Sequence, residues 1–88
     1  MVSKEELFDI FKKDPERFEE VYTKIDNAVE KTRGGIEYWW NGILKRNNSG
    51  MEFWPDGSIK RVLNGNEYWP NGKLKKDKLG REYPFEKI

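Results

Sequence analysis

Gly50-Met51-Glu52-Phe53-Trp54-Pro55-Asp56-Gly57-Ser58-Ile59-Lys60-Arg61 is the stretch that decides the fold. Its centre places Pro at the second position of a turn, Asp next and Gly where a positive φ is needed, the pattern of a type I turn closed by a glycine bulge. The flanks are short alternating strands, so the stretch predicts a β-hairpin whose three-residue loop pairs Trp54 with Ser58, Phe53 with Ile59 and Glu52 with Lys60. The same string recurs fifteen residues upstream, from Gly35 to Arg46, and fifteen downstream, from Gly65 to Lys76, while Gly80-Arg81-Glu82-Tyr83 opens a fourth copy that breaks off. Self-similarity at a fixed period means one supersecondary unit stacked on itself, with an atypical last copy as its cap.

Joining the hairpins through four-residue loops ending in Gly50, Gly65 and Gly80 predicts that Lys45 faces Glu52 and Lys60 faces Glu67. Because residues i and i+2 share a face of a strand, three rows then cross the sheet. One is apolar: Tyr38, Leu44, Phe53, Ile59, Tyr68, Leu74, Tyr83. On the opposite face Glu37, Lys45, Glu52, Lys60, Glu67, Lys75 and Glu82 alternate in sign, and beside them run Trp39, Trp54 and Trp69. The Pro at position 84 and the missing turn Gly blunt the final strand.

Residues 1–33 hold no Gly and all 8 Gly lie beyond them, which marks a change from helix to turn-rich strands at Gly34-Gly35. Ser3 and Glu6 form a capping-box pattern for a helix from about Lys4 to Lys13. Asp14-Pro15 supplies a cap and first residue for a second, whose apolar positions Phe18, Val21, Tyr22, Ile25, Ala28 and Val29 make one stripe ending at Gly34. The expected architecture is α+β: one domain over 1–88, with a helical pair (1–33) packed on an antiparallel meander of about seven short strands built from hairpin repeats (34–88). The apolar row is the expected floor for the helices, leaving the Trp row exposed.

The composition excludes much. The chain of 88 residues has no Cys and no His, 38% charged residues, a mean hydropathy of −1.02 and a net charge of +1. It therefore lacks thiolates, imidazole bases and the usual zinc ligands. No apolar run is long enough to span a membrane, and the acidic start is unlike a signal peptide, so a cytoplasmic protein is expected. Glu residues two strands apart would lie ~9.6 Å from each other, near the carboxylate separation of inverting glycosidases. A Lys between each pair favours both ionised forms, so an ion-pair ladder without catalysis is expected. One oxygen per turn from Asn41, Asp56 or Asn71 falls short of a calcium site, and neither metal nor cofactor is expected. Asn47-Asn48-Ser49 reads as turn chemistry.

Two binding surfaces remain. Trp39, Trp54 and Trp69, with Trp40 at a turn position held elsewhere by Pro, and rimmed by Lys45, Lys60, Lys75, Glu52 and Glu67, have the residue mix of an interface hot spot for a protein partner. Alternatively, the Trp row stacks on single-stranded nucleic acid or a glycan, with Arg46, Arg61 and Lys76 as unopposed cations. Self-association through the Trp face is a third use.

The string at 67–75 and its sister at 52–60 resemble MORN-type repeats, and especially those of the bacterial YwqK-type antitoxins, over about residues 35–83. The resemblance implies a β-meander scaffold for contacts with protein and no catalysis. The reading it favours is a non-enzymatic binding module, antitoxin-like or a phage-type inhibitor, that blocks its partner through an exposed Trp, Glu and Lys face.

Overall fold

The computed structural model describes residues 4–86. Helix α1 (Lys4–Lys13) and helix α2 (Pro15–Val21) precede a seven-stranded antiparallel sheet in sequential order, an α+β meander. The strands are β1 (Val29–Lys31), β2 (Glu37–Trp39), β3 (Leu44–Arg46), β4 (Glu52–Phe53), β5 (Ile59–Arg61), β6 (Glu67–Tyr68) and β7 (Leu74–Lys76). The molecule measures 36 × 33 × 18 Å, the thickness of one helix layer on one sheet.

Asp14 caps α2 as expected, its side chain accepting from the Arg17 N–H at 3.2 Å, with Pro15 in the first turn where no N–H is missed. The capping residue expected for α1, Ser3, lies outside the described residues. Helix α2 is shorter than the stripe suggests. A 3₁₀ turn (Tyr22–Lys24) follows it, Ile25 is extended and Asn27 adopts a left-handed φ of 65°. Val29–Lys31 then forms β1 and pairs with β2, Glu30 opposite Tyr38. The helical part thus ends well before residue 33, because the hydrogen-bonding edge of β2 recruits a segment with β-branched residues at Val29 and Thr32. Trp40 completes that junction by donating its backbone N–H to the Ala28 carbonyl at 2.9 Å, a bond that Pro55 and Pro70 at the equivalent turn positions cannot make.

Within each hairpin the expected pairs Tyr38–Leu44, Phe53–Ile59 and Tyr68–Leu74 form, and Trp54 N–H donates to the Ser58 carbonyl at 2.8 Å. One step further the register shifts, so that Glu37, Glu52 and Glu67 pair with Arg46, Arg61 and Lys76, leaving Lys45, Lys60 and Lys75 as the extra residues of β-bulges. The loops between hairpins are also one residue tighter than expected. Asn47, Val62 and Asp77 each donate an N–H to the carbonyl four residues on, so Arg46 faces Glu52 and Arg61 faces Glu67. Both kinds of turn in the sheet are thereby the same three-residue loop with a positive-φ Gly at its end, and the two one-residue offsets cancel in every unit.

The helices cover the Trp row, not the apolar row. Trp39, Trp54 and Trp69 are 2%, 0% and 5% exposed and form the core with Leu7, Phe11, Phe18 and Ala28. Phe18 lies 5.4 Å from Trp39 and Phe11 5.8 Å from Trp54, centroid to centroid. Ile59 and Tyr83 of the other row remain 44% and 38% exposed. The expectation of an exposed Trp face is therefore corrected. An indole hides more apolar surface than a Leu or Ile, whereas a Tyr can turn its hydroxyl to water.

Candidate functional site

Each core indole does more than fill volume. The Nε1 donors of Trp39, Trp54 and Trp69 reach the backbone carbonyls of Phe53, Tyr68 and Tyr83, fourteen residues on, at 2.9, 2.8 and 3.0 Å. Every unit is thus latched to the next, and the broken fourth copy exists at least as far as the carbonyl that Trp69 requires. Phe85 then closes the stack, 5.6 Å edge-on to Trp69.

The Lys and Glu ladder shares the helix-covered face. Lys45, Lys60 and Lys75 side chains are only 11%, 12% and 17% exposed, and their ammonium groups lie 5.2–5.4 Å from the centroids of Trp39, Trp54 and Trp69. Each also meets a carboxylate across its own hairpin: Lys45–Glu37 at 3.2 Å, Lys60–Glu52 at 3.8 Å and Lys75–Glu67 at 3.4 Å. Lys75 additionally reaches Glu19 of α2 at 3.4 Å, which ties the helix to the ladder. Such pairs must match the cost of desolvating both charges, and the ring faces help by favouring the cation. Beside them Tyr22 is held above the usual phenol range, first by burial and then by the negative charges of Glu19, Glu52 and Glu37.

Residues put forward from the sequence as partner-binding are thus part of the core and its rim. Trp40 is half-buried and packs on Phe18 and Trp39 at 6.1 and 6.0 Å. The cations expected to be unopposed are not so: Arg46 sits between Glu37 and Glu52, Arg61 between Glu52 and Glu67, and Lys76 between Glu67 and Glu82 in register. Arg61 makes contacts of 3.4 and 3.9 Å to its two carboxylates. Stacking of bases or sugars on the Trp row has no access, and the basic stripe is neutralised strand by strand.

What the helices leave uncovered is the apolar row itself. Alternation places Tyr38, Leu44, Phe53, Ile59, Tyr68, Leu74 and Tyr83 on the face opposite the Trp side chains, half-buried against one another or exposed. Between Ile59, Val62, Tyr68 and Pro70 this face opens into a notch of about 360 Å³ with mostly apolar walls. Val62 departs from its repeat equivalents there. Asn47 and Asp77 use their Oδ1 to hold loop N–H groups, two each, at 2.9–3.0 Å, a role Val62 gives up while adding an apolar wall. The charges on this face sit at its ends: Glu30 on β1, and Asp77 with Arg81 beside the Tyr83 hydroxyl. Sequence reasoning found the row but assigned it to the interior; its three Tyr residues, each with a polar tip, were the available signal.

A second concavity, about 530 Å³, lies between α2 and the terminal segment and is lined by Glu16, Glu19, Glu20, Glu82, Lys75 and Trp69 among others. No group of three or more acidic side chains among the described residues is disposed to hold a metal ion, and no helix among them is long and apolar enough to cross a membrane. Comparison of the chain with protein-family models, curated proteins and solved structures gives no match.

Proposed function

We propose that this is a non-enzymatic protein-binding module whose contact surface is the open Tyr, Leu, Phe and Ile face of the sheet. The observation that carries the reading is an inversion of the usual layout. The sheet turns its ladder of charges toward the helices and its uncharged row toward solvent, in a chain with 38% charged residues. A row of this kind, with a notch beside its centre, is the form of a surface awaiting an apolar anchor from another protein. An antitoxin-like or inhibitory action would use the same face to cover a site on the partner. The ladder supplies no catalyst, since every carboxylate in it is opposed by cations that favour its ionised form.

The test is site-specific photo-crosslinking in the native host. A crosslinker at Phe53 or Tyr68 is expected to trap a protein that the same group at Glu20, on the outer side of α2, does not. Equal labelling from all three positions, or none from the open face, would refute the reading.

A further inference from the structure

We infer that the open face is built to receive a second copy of this chain, face to face about a two-fold axis that runs parallel to the strands between β4 and β5. The inference rests on the proposal that this face is a contact surface, and it names the occupant. The row changes from aromatic to aliphatic at every strand. A two-fold at that point therefore sets Phe53 against Ile59 of the second copy, Leu44 against Tyr68 and Tyr38 against Leu74, and each pair recurs by symmetry. Ring meets branched chain throughout, and Phe53 of each copy arrives beside the notch walled by Ile59, Val62, Tyr68 and Pro70 of the other. Sheets packed face to face stand about 10 Å apart, close enough for these side chains to interdigitate.

The charges agree with the same axis. Glu30, opposite Tyr38 on the first strand, and Arg81, two residues before Tyr83 in the last segment, mark the two ends of the row. The two-fold superposes those ends, so that each Glu30 meets Arg81 of the second copy and no like charges face one another. A heterologous partner would find little charge in the row to read, whereas a second copy obtains its register from the alternation. Six strand spacings give a footprint of ~29 Å by roughly 13 Å, about 750 Å² for the two copies together, below the ~1,200 Å² of a lasting complex. The dimer is accordingly weak and reversible.

Sedimentation velocity on the full chain from about 10 µM to about 1 mM tests this, the range in which an interface of that size assembles. The expected result is a concentration-dependent passage from monomer to dimer. Ile59→Lys, which sets two ammonium groups near the axis, is expected to weaken association at least tenfold. Glu30→Arg, at an exposed edge position that cannot unfold the protein, is expected to weaken it as well, and Arg81→Glu in the same chain to restore it. A protein that stays monomeric to the highest concentration, or one whose dimer ignores all three variants, would overturn the inference. Monomers whose Phe53 crosslinker still traps another protein would reject the second copy while leaving the binding face intact. Monomers without any such crosslink would reject both.

Discussion

The indole N–H of Trp54 donates to the backbone carbonyl of Tyr68 at 2.8 Å, and this one bond joins the middle unit of the sheet to the last. Its carbonyl belongs to a strand with two residues, Glu67–Tyr68, so little else anchors it. Replacing Trp54 by Phe keeps a ring in the core but leaves that acceptor without its donor, at an expected cost of ~1–3 kcal/mol. Trp54→Ala also removes the packing against Phe11 and Trp69, and ~3–5 kcal/mol is expected. Equilibrium urea unfolding of both variants measures the difference.

The ladder is not uniform, and the two lysines that look alike in sequence differ in what depends on them. Glu52 has Arg61 at 3.4 Å as well as Lys60 at 3.8 Å, so Lys60→Met leaves the carboxylate neutralised. Lys75 lies between Glu19 and Glu67, 3.4 Å from each, and Lys75→Met leaves two half-buried carboxylates facing each other. The second substitution is expected to destabilise by about 1–3 kcal/mol more than the first. Adding Glu19→Gln to the Lys75 variant should recover part of the loss, which thermal unfolding of the three proteins would show.

The acid limb of stability carries the mark of Asp77. Its carboxyl lies below the ordinary value, chiefly because the Arg81 backbone N–H donates to it, an effect that outweighs partial burial and is reinforced by the Leu79 N–H, the Tyr83 hydroxyl and the Arg81 charge. A depressed folded-state pKa contributes stability above the unfolded value of about 4, and that contribution is lost as pH falls through the folded value. Asp77→Asn should therefore lose less stability than the parent between about pH 6 and about pH 2. Melting temperatures at the two ends of that range decide it.

Tyr22 marks the alkaline limb with the opposite sign. Its raised pKa, caused first by burial, contributes stability below the unfolded phenol value of about 10, which is lost as pH rises through the folded value. Of the 4 tyrosines, Tyr22 should be the last to ionise when phenolate absorbance is followed, and Tyr22→Phe should remove that late step.

The hairpins, the two helix starts and the residue rows were legible because turn chemistry and side-chain alternation are local. Trp-Pro-Asp-Gly fixes a loop whatever surrounds it, and Asp14-Pro15 starts a helix on its own terms. The bulges were less so. Each unit carries one Glu opposite two consecutive cations, as in Glu52 with Lys60 and Arg61, and that surplus was the only trace of the extra residue. Helix α2 was overread because the stripe through Ile25, Ala28 and Val29 fits a helix as well as a turn and an edge strand, and the sheet edge decided between them. Which face the helices cover was not written in either row, since both are apolar enough. It follows from the competition between three indoles and a set of side chains with three hydroxyl tips, a comparison that needs the whole sheet.

Oxidative footprinting of the folded protein at rising concentration tests the central claim, that the Trp row is core and the Tyr, Leu, Phe and Ile row is the contact surface. Trp39, Trp54 and Trp69 should remain unmodified throughout, while Phe53 and Tyr68 are modified in dilute solution and become protected as the face is occupied. Ready modification of the three indoles in the dilute folded protein, with Phe53 and Tyr68 already protected there, would contradict it.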